Sequence, residues 1–154
     1  VDEELRTAFK EHLEQTRGNG KRLEKTFKLI GEPVKGKVCK GMEGIIAEGK
    51  AMLDLNLPEP VGDAALIAAA QRVEHYEIAA YGTARTFAEV LGETDAAELL
   101  EATLNEEKQT DETLTGIAAQ INPEAAEGEE ADQKLSKGSK NGKSKAKRQL
   151  ASVR

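Results

Sequence analysis

Hydrophobic positions in this chain recur at spacings of three and four, never in steady alternation. From Asp2 to Ile30 the residues Leu5, Phe9, His12, Thr16, Gly20, Leu23, Phe27 and Ile30 fall on one face of a helix. Gly31 ends this segment, and GEPVKGK reads as a loop. A shorter segment from Val38 to Leu55 puts Met42, Ile45, Ile46, Gly49, Met52 and Leu53 on its apolar side. It stops at Leu57-Pro58-Glu59-Pro60, because proline lacks a backbone donor and restricts the residue before it. The third segment runs from Asp63, a fitting N-cap, to Leu91, with a stripe of Leu66, Ala70, Val73, Glu77, Tyr81, Ala84, Ala88 and Leu91 closed by Gly92. The fourth starts at a Thr94 or Asp95 cap and continues to about Gln120, where Asn122-Pro123 is expected to end it. Its stripe is Ala97, Leu100, Leu104, Glu107, Asp111, Leu114, Ala118 and Ile121. The pattern predicts an all-α fold, four helices packed as an antiparallel bundle over residues 1–123. The Arg17-Gly18-Asn19-Gly20 stretch is the weak point of the first helix, since each glycine costs about 1 kcal/mol relative to alanine. Gly20 there marks either a close helix contact or a kink.

Four ionisable residues stand where this period demands an apolar one: His12, Glu77, Glu107 and Asp111. Burying an unpaired charge costs several kcal/mol, so such residues need partners or a metal ion. Glu74 lies three residues before Glu77 and shares its general direction, so both carboxylates can reach one ion. His75 lies off the stripe and is the weaker candidate. Carboxylates and an imidazole projecting from facing helices suit iron or manganese. The same residues also suit a buried network of hydrogen bonds and ion pairs, with Arg72 or Arg85 neutralising some of the acids.

Composition agrees with the helical reading. The chain is rich in Ala, Glu, Leu and Lys and has no Trp, two Tyr and three Phe. The formal charge of −6 is uneven: residues 134–154 hold eight Lys and Arg and no acid, leaving −14 on residues 1–133. Residues 124–154 therefore read as a low-complexity tail, basic from 134, too poor in apolar side chains to fold by burial. Such a tail is expected to be either a solvated, disordered end or an arm that grips nucleic acid non-specifically through phosphates. The lone Cys39 gives no internal disulfide and reads as a small buried or half-buried residue whose pKa Lys37 and Lys40 could lower. No apolar run approaches the roughly 20 residues needed to cross a bilayer, and no secretory leader opens the sequence, so a cytoplasmic location without membrane contact is expected. Val1 is not an initiator, and the first residues already read as helix with only Asp2 to cap them, which suggests a preceding segment.

The stretches AFKEHLEQTRG, RLEKTFKLIGEPVKGKVCKGMEGIIAEG, DAALIAAAQRVEHYEIAAYGTAR and LLEATLNEEKQTDETLT resemble the YciF/YciE-type proteins, bacterial ferritin-like proteins associated with stress responses. The resemblance covers about residues 3–121 and is most specific at VEHYEIAAYGT. It implies a ferritin-like bundle with another helix ahead of the first one here, a helix that in such proteins donates one Glu ligand. It also implies a di-metal site, for which His12, Glu74, Glu77, Glu107 and Asp111 are the candidates. The pattern departs from the usual Glu-x-x-His pairs: Phe9 stands three residues before His12, and Thr110 three after Glu107. Glu74 and Glu77 instead form a Glu-x-x-Glu pair, as in rubrerythrin relatives. Three functions follow as expectations. The first is a stress protein handling iron or peroxide, with Tyr76 or Tyr81 near enough to take part. The second is a non-enzymatic bundle acting as a homo-oligomer, a dimer first of all, through an outer face holding Leu66, Ile67, Tyr76 and Ile78. The third is a polyanion-associating relative that uses its basic tail.

Overall fold

The computed structural model describes the backbone of residues 1–151 and the side chains of residues 1–127. Four helices follow one another: α1 (Glu3–Leu29), α2 (Lys40–Asp54), α3 (Val61–Leu91) and α4 (Thr94–Ala151). The Asp2 side chain accepts from the backbone N–H groups of Glu4 and Leu5, supplying the cap that α1 needs. Gly31 and Gly92 close α1 and α3 in the left-handed region, at φ 73° and 79°. In each case the following residue donates back to a carbonyl five positions earlier, Glu32 to Phe27 O at 3.0 Å and Glu93 to Ala88 O at 2.9 Å. These are Schellman stops, which only glycine forms without strain.

Two details differ from the sequence expectation. Asp63 is not the cap of α3; it sits inside the first turn, buried, and its Oδ2 accepts the Asp2 backbone N–H at 2.8 Å. It therefore ties the starts of α1 and α3 together. Also, α4 does not stop at Asn122-Pro123 but carries Pro123 within it. The missing proline N–H costs one bond, to the carbonyl of Ala119, and the helix continues on both sides. The basic stretch 134–154, read as a solvated end or an arm, lies outside the residues whose side chains are described.

The hairpin α3–α4 supplies the main interface; α1 packs on α4, and α2 lies on α3. Contacts run in opposite order along α4: Leu5 meets Leu114, Ile117 and Ile121, while Leu23 meets Leu100. Both α1 and α3 are thus antiparallel to α4. The core has two apolar clusters. One holds Leu5, Ile67, Leu114, Ile117 and Ile121; the other holds Ala88, Ala96, Ala97 and Leu100, with Leu23, Tyr81 and Ala84 beside them. Ile67, expected on an outer face, is thus core. Nothing lies within 4 Å of a Cβ at Gly20, so the close helix contact does not form there, and α1 runs on through it as one helix. The close approach is instead at Gly41, where a Cβ would come within 2.8 Å of the Tyr76 hydroxyl as α2 crosses α3. Among the described residues, no helix is long and apolar enough to cross a membrane.

Candidate metal centre

One heptad beyond the lower cluster, every helix of the core turns polar. His12 follows Leu5 by seven residues on α1, Glu74 follows Ile67 by seven on α3, and Glu107 precedes Leu114 by seven on α4. A heptad returns a helix to nearly the same face, so the geometry that buries the three hydrophobes also points the three polar groups inward. Glu74 and Glu107 are 2% and 1% exposed, and His12 is 17% exposed. His12 Nε2 lies 3.2 Å from Glu74 Oε1 and 3.9 Å from Glu107 Oε2. One donor atom from each residue lies within 4.8 Å of the other two, close enough for all three to bind one ion.

A second layer of polar groups surrounds them. Asn19, a further heptad along α1 and 3% exposed, donates Nδ2 to Glu107 Oε1 at 2.7 Å. Its Oδ1 accepts from Arg22 at 2.8 Å, and the Arg22 guanidinium also grips both Glu106 oxygens at 2.7 and 3.0 Å and Thr103 Oγ1 at 2.7 Å. On the other side, Thr110 Oγ1 and Gln15 Oε1 lie 3.0 and 3.4 Å from His12 Nδ1. A cleft of about 110 Å³ between α1 and α4 opens onto this side, lined by Phe9, His12, Gln15, Gln109, Thr110 and Thr113 among others.

The electrostatics show what the layer lacks. Burial, then a hydrogen bond with Glu74 and the neighbouring charge of Glu77, push the Glu107 carboxyl from 4.5 up to about 8. Glu77 is also raised, chiefly by burial and by Glu74, with His12 opposing. The contact with Glu74 raises His12 above its ordinary value against the opposing effect of burial. Tyr81, half-buried, is pushed up to about 12 by burial and by Glu77 and Glu107. One oxygen each of Glu74 and Glu107, both Oε2, is buried without a partner. While Glu107 keeps its proton it can share it with Glu74; once it ionises, one imidazolium faces several acids, and buried carboxylate oxygens are left bare at a cost. A divalent cation would meet both needs, and two carboxylates with an imidazole are a donor set for iron, manganese or zinc.

The five residues expected from the sequence thus divide. The structure brings His12, Glu74 and Glu107 together. Glu77 is half-buried one turn beyond Glu74 and acts on the group through its charge. Asp111 turns elsewhere: its Oδ1 lies 3.1 Å from Nε2 of the exposed His75 and accepts from Gln71 at 3.0 Å. Arg85 pairs with Glu89 and Glu101, so neutralisation near the site falls to Arg22, which the sequence reading had passed over. Asn19 was passed over as well, although the heptad from His12 would have found it. Cys39, expected to be at least half-buried, is exposed just ahead of α2, its Sγ 2.9 Å from the Tyr76 hydroxyl. That contact, then the backbone amides of Met42 and Gly41, lower its pKa. Tyr76 accordingly faces Cys39, whereas Tyr81 borders the polar layer.

Comparison with known proteins agrees on the family. Residues 1–127 match the family model described as a domain of unknown function, DUF892. The protein YciF of Escherichia coli K12 is 48% identical over 118 residues, covering 76% of this chain and 71% of that protein. The crystal structure of the E. coli stress protein YciF superposes with a TM-score of 0.77 at 45% identity, covering 80% of this chain and 78% of the other. YcfI from Rhodopseudomonas palustris superposes with a TM-score of 0.72 at 38% identity over 75% and 73% of the two chains.

Proposed function

Since the chain belongs to the DUF892 family and is similar over most of its length to a stress protein, we propose that it is a stress-response protein whose ferritin-like bundle binds iron or manganese at His12, Glu74 and Glu107. The observation that carries this reading is the convergence of His12, Glu74 and Glu107, one donor atom from each within 4.8 Å of the others, with Glu74 Oε2 and Glu107 Oε2 buried and bare when both acids are ionised. Glu77 stands by as a third acid whose charge favours a divalent ion. His12, Glu74 and Glu107 would hold the ion with fewer donors than iron or manganese usually takes, and bound iron would supply electron transfer toward peroxide or dioxygen. The chain's own part is to hold the donors in register and to keep bulk water from the two buried carboxylates.

Elemental analysis of the full chain, purified without chelator, tests the proposal. Stoichiometric iron or manganese is expected, lost in both Glu74→Ala and Glu107→Ala. Metal that never reaches stoichiometry, or that survives both substitutions, would end it. Peroxide consumption by iron-loaded against metal-free protein then tests whether the ion works on peroxide.

A second reading, assembly, is compatible with the first and has its own observation. Leu29, Ile30, Phe87, Val90 and Leu91 are exposed toward one end of α1 and α3, beside an apolar groove of about 460 Å³. Contiguous exposed apolar surface of this kind marks contact with another molecule. We propose a homo-oligomer that covers this end.

A further inference from the structure

Thr110 stands where the usual Glu-x-x-His pattern would place a second histidine, and its hydroxyl is committed to specific partners. It donates to the Glu106 carbonyl at 3.1 Å, with Gln15 Oε1 at 3.4 Å as the other acceptor in reach. Whichever takes the proton, the Thr110 oxygen presents lone pairs to His12 Nδ1 at 3.0 Å. Gln15 Oε1, the other atom near Nδ1, accepts as well. With the Thr110 proton on the Glu106 carbonyl, both atoms near Nδ1 are acceptors and favour the Nδ1–H form of the ring, which leaves the Nε2 lone pair facing Glu74 and Glu107 for a cation. The Thr16 hydroxyl, 3.5 Å from Nε2, donates to the His12 carbonyl at 2.9 Å and does not compete.

Glu107 is set in the same way. Because Arg22 occupies the Asn19 oxygen, the Asn19 amide has one orientation, with its Nδ2 toward Glu107 Oε1. Arg22 is itself held by Glu106 and Thr103, so the orientation is anchored to α4 at two further points. One oxygen of Glu107 is thereby engaged, and Oε2 is left bare and pointed at the site.

We infer that Thr110 and Asn19 are positioning residues, which fix the imidazole and the carboxylate so that His12 Nε2 and Glu107 Oε2 are the atoms offered to a divalent ion. The inference rests on the metal-binding reading above. It also gives a role to a departure in the sequence: where the usual pattern has a second histidine, Thr110 orients His12.

Cobalt(II) serves as the probe, because its visible absorption reports both affinity and ligand geometry. Wild type, Thr110→Val, Thr110→Ser and Asn19→Leu are titrated, and the Tm of each metal-free protein is recorded. Thr110 is half-buried and valine matches its shape, so that variant is expected to fold. Thr110→Val and Asn19→Leu should each weaken cobalt binding roughly 10–100-fold, the usual effect of removing an outer-shell partner, and alter the absorption band. Thr110→Ser, which keeps the hydroxyl, should restore both. In zinc-loaded protein the ¹⁵N shifts of His12 should show Nε2 metal-bound and Nδ1 carrying hydrogen. If wild type binds no cobalt, the metal-binding reading fails and the inference with it. If wild type binds and Thr110→Val binds equally well, or zinc sits on Nδ1, the inference alone is overturned.

Discussion

Glu107 shows how a single carboxyl can couple this fold to pH. With its folded pKa raised from 4.5 to about 8, it favours the folded state only while protonated. Its contribution is complete below 4.5 and disappears as the pH rises through about 8. His12, raised above 6.5, loses its contribution in the same alkaline direction. Metal-free protein should therefore weaken from mildly acid to alkaline conditions. Glu107→Gln, which stays neutral, should flatten that decline, as urea midpoints in chelating buffer on either side of the transition would show. Parallel declines in the two proteins would mean that the carboxyl is not charged by alkali in the folded state. Leu5, fully buried beneath the polar layer, gives a different expectation. Leu5→Ala should lose about 2–5 kcal/mol in denaturant melts, because α1 cannot close the cavity without moving away from α4.

At the scale of elements, the sequence is readable wherever one local rule decides. The glycine stops at Gly31 and Gly92 need only a left-handed residue, and both form where the pattern places them. Gly92→Ala should cost about 1–2 kcal/mol, seen as a lower Tm, since the turn between α3 and α4 keeps its positive φ. The stripes on α1 and α4 likewise put His12 and Glu107 toward the core, whereas the α3 stripe is centred on Glu77 and the residue buried there is Glu74. Periodicity is silent on which neighbour a face meets. Asp111 shares the general direction of Glu107 but, one turn on, meets Gln71 and His75 at the outer edge of α3. The heptad from His12 marks Asn19 as inward-facing, but what it and Arg22 bind was not legible, because their partners Glu106, Glu107 and Thr103 lie more than 80 positions away. Pro123 misled for a different reason: proline disfavours helix continuation by a few kcal/mol, a preference the rest of a long helix can override.

The molecule as a whole combines an acidic body with an apolar end. If that end is covered by a second copy, replacing Phe87 and Val90, 64% and 80% exposed, with aspartate should dissociate the assembly without unfolding it. Light scattering and circular dichroism measure the two properties separately, and an unchanged mass would place the contact elsewhere. The stacking of apolar cluster, polar layer and second apolar cluster has a further consequence, for how the bundle opens. Clusters separated by a layer of poorly matched acids need not melt as one cooperative unit. Native-state hydrogen exchange of the metal-free protein should resolve two groups of amides with distinct opening energies, one around Leu114 and one around Leu100. An ion spanning α1, α3 and α4 at the seam would merge them into one, so the bound metal would act as the keystone that makes the two halves unfold together.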